Sequence, residues 1–486
     1  MQNRIVLAGC LIFLITWQVF PCTIISGKTK DHIVWIGNNE DFYFDFNTYL
    51  NVLPREGKLL GMITFTYGSP ESFIQGGMNE AGIFLDFNAL PSVPQSAYRD
   101  WNKKKDYPGG DLALVIHILR SCSTVVEVRA LYNQYRIPGL LGAQMHIADK
   151  LGNLGIANAE GFRIAKGSYQ VSTNYNVLTN NASEARACWR YPIAERMFKE
   201  NGVCFENVRN ILDATQQKRF VGTIYSNVAN LKTGDVYNYY GGVFANPYHF
   251  KLGDLLAKGK KSYLWRSLFP EAPLVKVWEA YLAAGPEKAL EVYRQLEATI
   301  PEKRKLETLR HIFSSCLLRL NKYADAKVFF EEWKKVGGSN DKNAIFYDAL
   351  VELSNGDYNK ARDLLAEQIK IEAANETAQK SQGASMAGLL LARLQGTKPT
   401  GANTRFELKG YKEAKFVCVA GLGYVAVTDF LLRTPKGWAG DFVLPAGKNH
   451  YVFLVDGKMT LDPENHEVET VPTEDGVFQY NVKVIR

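Results

Sequence analysis

The sequence lacks most of the features that announce metal, phosphate or disulfide chemistry. Its seven cysteines (Cys10, Cys22, Cys122, Cys188, Cys204, Cys316 and Cys418) are scattered, with no CxxC pair. That excludes a zinc ribbon and a disulfide scaffold, and leaves open a single disulfide, such as Cys188 with Cys204. Cys122, Cys316 and Cys418 sit in apolar contexts and read as buried small hydrophobes. Histidine is scarce, at seven residues, and no HExxH, glycine-rich phosphate loop or GxSxG occurs. No metal or cofactor is expected. An excess of one charge is also missing: 57 basic and 50 acidic residues leave +7 over 486 residues. The runs Lys103-Lys104-Lys105 and Lys258-Gly259-Lys260-Lys261 carry no interleaved aromatics, so they read as solvated loops and nucleic acid is not an expected partner. Beyond the first twenty residues no apolar run is long enough to span a bilayer.

What is present begins at the N-terminus. Arg4 precedes an apolar run from Ile5 to Phe20, the size of a signal-peptide core. Residues 1–21 are therefore expected to be a leader, and the product to be exported, periplasmic or extracellular, with a retained membrane anchor as the alternative. Leu7-Ala8-Gly9-Cys10 looks like a lipoprotein box, but six residues precede it and most of the apolar run follows it. Pro21 is not a favoured residue at a signal-peptidase site. Cleavage upstream with trimming, or a second protease, would be needed to expose Cys22.

The length exceeds a single core of about 250–300 residues, so two or three domains are expected. Residues 22–268 mix strand-like and helical patterns in an α+β domain. The strand-like runs are Thr23–Ser26, His32–Ile36, Leu59–Thr66, Ile83–Phe87, Thr223–Asn230 and Val236–Tyr240; the helical ones are Asp111–Arg120, Thr124–Tyr135 and Ser183–Phe198. Residues 269–395 read as all-helical. Gly285-Pro286 opens one helix, and Tyr323 to Tyr358 and Ala326 to Ala361 are each 35 residues apart, near the period of a tetratricopeptide-like array. Residues 402–486 carry short strands between turn signals and are expected to form an Ig-like β-sandwich.

Cys22-Thr23 opens the first strand-like run. A cysteine just past a cleavable leader can become the first residue of the mature chain. Its α-amine, with a pKa of about 8, is then a base beside its own thiol, and no separate histidine is needed.

The residues around it carry a resemblance. Cys22-Thr23 followed by Gly37-Asn38-Asn39-Glu40-Asp41, with Asp41 nineteen residues after Cys22, resembles the opening of the choloylglycine hydrolase and penicillin V acylase family. Those enzymes are linear-amide hydrolases of the αββα N-terminal-nucleophile fold. Gly77-Met78-Asn79-Glu80-Ala81-Gly82-Ile83 and Ser172-Thr173-Asn174 are similar to two further elements of that family. The resemblance implies that Cys22 attacks the amide carbonyl of a small acyl amide, that Asp41 orients the α-amine, and that Asn174 donates to the oxyanion. It implies a second oxyanion contributor, for which Asn88 is nearest though one residue out of register. It also implies an active-site arginine, matched by Arg190 or alternatively Arg186. Asn38 stands where the family has arginine, which removes a positive charge and weakens the case for bile-salt conjugates. Asn38 and Asn79 are candidate pocket residues, Asn79 with the alternative of fixing its turn. Glu40 and Asp41, adjacent on a strand, are expected to point different ways and not to form a glycosidase pair. An acyltransferase of the same fold, or an inactive envelope- or carbohydrate-binding protein, are the competing readings.

Phe406–Tyr411, Ala414–Gly421, Gly437–Phe442, Tyr451–Gly457 and Asp462–Asn465 resemble the glycogen-binding, early-set β-sandwich. Leu422-Gly423-Tyr424-Val425 replaces the usual sugar-stacking turn. Trp438, Lys448 and Asn465 remain as candidate glycan contacts, with a protein contact as the other role.

Overall fold

The computed structural model describes residues 22–179, 185, 188–218, 221–341, 343–374, 382–422, 426–473 and 476–485. The expected leader, Cys10 and Arg186 lie outside these residues, as do Gly423, Tyr424 and Val425. The chain divides into two compact units, meeting between Val275 and Lys276.

The first unit is α+β. Its strands in chain order are β1 (Thr23–Lys28), β2 (Val34–Phe42), β3 (Thr48–Leu53), β4 (Met62–Tyr67), β5 (Ile74–Asn79) and β6 (Ile83–Ala89). Helices α1 (Gly110–Ser121) and α2 (Val125–Gln134) follow, then β7 (Ala143–Asp149), β8 (Leu154–Asn158), β9 (Gly161–Ile164) and β10 (Tyr169–Ser172). Helices α3 (Arg190–Asn201) and α4 (Phe205–Ala214) come next, and β11 (Gly222–Asn230), β12 (Asp235–Tyr240), β13 (Val243–Lys251), α5 (Leu252–Ala257) and β14 (Lys261–Leu264) complete the unit. The strands form two antiparallel sheets, ordered β10-β1-β2-β11-β12-β13 and β14-β3-β4-β5-β6-β7-β8-β9.

Each sheet has a helical layer on one face. Leu114, Ile118 and Leu119 of α1 and Val125 and Val128 of α2 share a core with Ile83, Leu85, Met145 and Ile147 of the larger sheet. Ala194 and Phe198 of α3 and Val208, Ile211 and Leu212 of α4 share another with Ile25, Val171 and Val228 of the smaller one. The inner faces meet through side chains such as Ser26 with His146 and Phe42 stacked on Tyr67 at 4.7 Å. The layer order is therefore helix, sheet, sheet, helix. A strand covered on both faces has no solvent side, which is why β2 is buried almost end to end and why its polar residues need partners.

Two glycines are explained by that packing. A Cβ at Gly37 would lie 2.9 Å from a Val208 methyl, so only glycine lets α4 approach β2. A Cβ at Gly76 would run into the Asp86 carboxylate on the neighbouring strand.

In the second unit the helices Tyr323–Lys335 and Tyr358–Ala374 both open on the tyrosines of the 35-residue interval. Ala326 and Ala361 are both fully buried. The helix at Gly285-Pro286 does begin there: Ala284 and Gly285 leave helical geometry, with Gly285 at φ +82°. The closing β-rich residues pair as two antiparallel sheets around Phe406, Leu408, Val419, Trp438, Phe442 and Phe453.

Candidate active site

Cys22 lies immediately before β1. Thr23 pairs with Asn39 of β2, which sets Cys22 across from Glu40. Alternation along β2 then divides its polar residues. Asn39 and Asp41 face the helical layer: Asn39 donates to the carbonyl of Leu212 at 2.8 Å. Asn38 and Glu40 face the other sheet. Glu40 and Asp41 do point to opposite sides, but both sides are interior, and both carboxylates flank Cys22.

On the helical side Arg190, at the start of α3 and 3 % exposed, gathers the site. Its Nη1 donates to the Cys22 carbonyl at 2.5 Å and to Thr23 Oγ1 at 3.0 Å, and its Nη2 donates to Asn174 Oδ1 at 2.8 Å. Nη1 also lies 3.9 Å from Asp41 Oδ2. The Thr223 hydroxyl donates to Asp41 Oδ1. Asp41 Oδ2 makes no hydrogen bond among the described residues. Burial pushes the Asp41 carboxyl well up from its ordinary range, and Arg190 and Thr223 pull the other way. An amine freed at Cys22 would find in Asp41 Oδ2 an acceptor with spare capacity.

Asn174 is half-buried. Its Nδ2 donates to the carbonyl of Ala89 at 2.8 Å, so one amide hydrogen is already committed. Gln144 braces this corner by donating to the carbonyls of Thr173 and Tyr175, at 2.7 and 3.0 Å, on either side of Asn174. Asn88 pairs with Gln144 across β6 and β7 and is wholly buried, yet neither polar atom of its side chain has a hydrogen-bond partner among the described residues. It shares a strand face with Asp86, whose charge reaches the Cys22 thiol. A buried amide left unpaired costs about 1–3 kcal/mol.

On the other side, Cys22 Sγ donates to Glu40 Oε1 at 3.4 Å. The Tyr67 hydroxyl donates to the same oxygen, and Asn38 Nδ2 to Oε2 at 3.1 Å. Asn38 thus binds Glu40, as well as facing the interior. The thiol is pushed well up by burial, then by the charges of Glu40 and Asp41, with the Asp41 backbone N–H opposing. Glu40, Tyr67, Tyr225, Asp41 and Asp86 are all raised, burial being the main cause for each.

This crowd of raised carboxyls predicts a stability slope. Asp86 Oδ1 accepts from its neighbour's N–H at 2.7 Å, and Oδ2 from nothing among the described residues. Its folded pKa lies above its unfolded one, so between them the native state binds more protons and stability falls as pH rises. The decline is expected to begin near pH 4 and to continue through the folded pKa. Thermal unfolding from pH 4 upward should show it, and Asp86→Asn should flatten it; a wild-type Tm that climbs over that window would contradict the reading.

Asn79 fixes its turn, the alternative given for it: its Nδ2 donates to the carbonyls of Leu119 and Cys122, both at 2.8 Å, and its Oδ1 accepts from Ile83 N–H. It ties the end of α1 to the β5–β6 turn. His146 is buried between the Ser26 and Ser172 hydroxyls, 2.7 and 2.8 Å away, and burial drops its pKa to about 3, so it is a neutral core group. The six cysteines from Cys22 onward are free thiols, so Cys188 and Cys204 are unpaired.

Two of the three glycan candidates are used internally, and the third pairs at the surface. Trp438 is 2 % exposed, with its ring NH donating to the Tyr411 carbonyl at 3.0 Å, so it offers no face to a sugar. Asn465 donates to Tyr451 Oη and to the Val482 carbonyl, and Lys448 pairs with Glu469.

Glu40, Tyr67, Gln144 and Thr223 were not identified as site residues from the sequence. Glu40 had a signal, its adjacency to Asp41 on a doubly covered strand; the other three join only through tertiary packing.

No family model matches the chain, and no curated protein matches it. Among solved structures it is similar to a variant of the conjugated bile acid hydrolase from Clostridium perfringens, 15 % identical with TM-score 0.39 over 50 % of this chain and 96 % of that one. It is also similar to penicillin V acylase from Agrobacterium tumefaciens, at 19 % identity and TM-score 0.37 over 50 % and 90 %. A third is the Caenorhabditis elegans ortholog of N-acylethanolamine-hydrolyzing acid amidase, at 12 % identity and TM-score 0.34 over 50 % and 99 %.

Proposed function

We propose that the chain cleaves the C–N bond of a small N-acyl amide through a thioester on Cys22. One observation carries the reading. Arg190 brings the Cys22 carbonyl, Thr23, Asn174 and Asp41 to a single guanidinium, although Cys22 and Arg190 are 168 residues apart. A core needs no such gathering of polar groups, and each one is costly to bury without a purpose.

The roles follow from the contacts. Cys22 Sγ attacks the carbonyl carbon. With residues 1–21 removed, the Cys22 α-amine takes the thiol proton and returns it to the leaving nitrogen. Asp41 Oδ2 orients that amine. Asn88 is the oxyanion donor best supported, because its amide is unspent; Asn174, already bonded through both ends, positions the corner that Gln144 braces. Asn88→Ala is therefore expected to lower kcat by about 10²–10³-fold with little change in KM, whereas a change confined to KM would assign Asn88 to substrate binding.

Passing the acyl group to an amine instead of water would make the same site an acyltransferase. The absence of an arginine at Asn38 and the carboxyls around Cys22 disfavour an anionic group next to the scissile bond. Export with cleavage before Cys22 completes the proposal. A panel of N-acyl 4-nitroanilides of differing acyl charge and length tests it: nitroaniline release that stops after thiol alkylation supports an amidase, and no release or acyl transfer from any member sinks it.

A further inference from the structure

We infer that Glu40 is a second acceptor for the Cys22 thiol proton, so that the nucleophile forms even while residue 22 lacks a free α-amine. The inference rests on Cys22 being the nucleophile. It starts from the position of the thiol hydrogen. In the full chain the nitrogen of Cys22 is an amide, bonded to Pro21, and an amide nitrogen is no base. The thiol nonetheless has a hydrogen-bond acceptor, Glu40 Oε1 at 3.4 Å, within reach for sulfur and set by strand register.

Glu40 is not held as a structural ion pair would be. It is 2 % exposed, and the groups that act on it are Tyr67, Asn38 and Cys22, with no cation among them. The other titratable groups facing this pocket are Cys22 before β1, Tyr67 on β4, Asp86 on β6 and Tyr225 on β11. Asp41 and Arg190 are on the opposite side of β2. A buried carboxylate with three donors and no counter-ion is poised to accept a proton. Ionising the thiol by loss of its proton to solvent would put a second negative charge in this pocket. Transfer to Glu40 keeps the total charge constant, which a low-dielectric interior favours.

The step balances. The Sγ–H bond breaks, its proton passes to Glu40 Oε1, and the sulfur pair forms the bond to the carbonyl carbon while the carbonyl π pair moves to oxygen. On collapse the C–N bond breaks, and the nitrogen takes the proton from Glu40. Water then attacks the thioester, gives a proton to the Glu40 carboxylate, and the departing sulfur recovers it. Tyr67 and Asn38 are positioning residues that hold the carboxylate toward Sγ.

Alkylation by iodoacetamide, read by peptide mass at Cys22 from pH 5 to 10, tests this without any amide substrate. Two proteins are compared, the full chain and a chain beginning at Cys22. Both are expected to label at pH 7 at rates within about threefold. Glu40→Gln should slow both by about 100-fold at pH 7, with a rate that then climbs with pH. Tyr67→Phe, which keeps the carboxylate but removes a donor to it, should shift the acid limb upward; an unmoved limb counts against the inference. A full chain inert at pH 7, beside a Cys22-first chain that reacts and is indifferent to Glu40→Gln, overturns it and leaves the α-amine as acceptor. Labelling as expected with no amide turned over would keep this inference and discard the amidase reading.

Discussion

Cys22→Ala is expected to lower kcat/KM for acyl-amide cleavage by about 10⁴-fold or more, while leaving the unfolding temperature close to that of the wild type. Removing the nucleophile from a covalent mechanism removes the path itself, and the remaining groups supply only orientation and oxyanion stabilisation. Stability should change little because the side chain is small and its Sγ–Glu40 contact is long, at 3.4 Å. Kinetics on a reactive nitroanilide, paired with a thermal melt, separates the two quantities. A loss of tenfold or less would mean that the chemistry does not pass through Cys22.

Arg190→Met is expected to cost both fold and activity. The guanidinium is buried, forks between the Cys22 carbonyl and Asn174, and faces Asp41. Removing it leaves a buried carboxyl without its cation, which typically costs about 3–5 kcal/mol. Asp41 can escape part of that cost by holding a proton, so the destabilisation should grow as pH rises. Arg190→Lys keeps the charge but cannot make the fork and should recover only part of the loss. Denaturant unfolding of Arg190→Met, Asp41→Asn and the pair forms the cycle: the double variant should be more stable than Arg190→Met alone. Strict additivity would show that Arg190 and Asp41 do not interact.

Much of the candidate site could be read from the chain because its members sit in short local patterns. Cys22-Thr23, Asn38 to Asp41 and Ser172-Thr173-Asn174 lie at the beginnings and ends of strands. There, β1, β2 and β10 are adjacent in one sheet, so sequence elements far apart meet at one edge. Arg190 was singled out through the resemblance, with Arg186 as the alternative, inside an expected helix Ser183–Phe198; it stands as the first residue of the helix Arg190–Asn201 that covers that sheet. Glu40 was set aside because adjacent strand residues diverge. The divergence is real, but β2 is covered on both faces, and the thiol can be approached from either. β5 was hidden by Gly76 and Gly77, poor strand formers on their own, which are needed because Asp86 and the backbone of β4 leave no room for a Cβ. Strands such as β7, where Gln144 and His146 are buried among apolar residues, break the alternation by which a half-exposed strand is recognised. Trp438 misled in the other direction: an aromatic in a turn-rich module suggested a sugar platform, and packing places it in the core.

The most direct test of the central claim is to quench a reaction with a slowly turned-over N-acyl amide in acid and measure the mass of the Cys22 peptide. The account predicts a gain equal to the acyl group on that peptide, labile to hydroxylamine and absent in Cys22→Ser at the thioester position. Amide cleavage at full rate with an unmodified Cys22 peptide, or an acyl group on another residue, would contradict it.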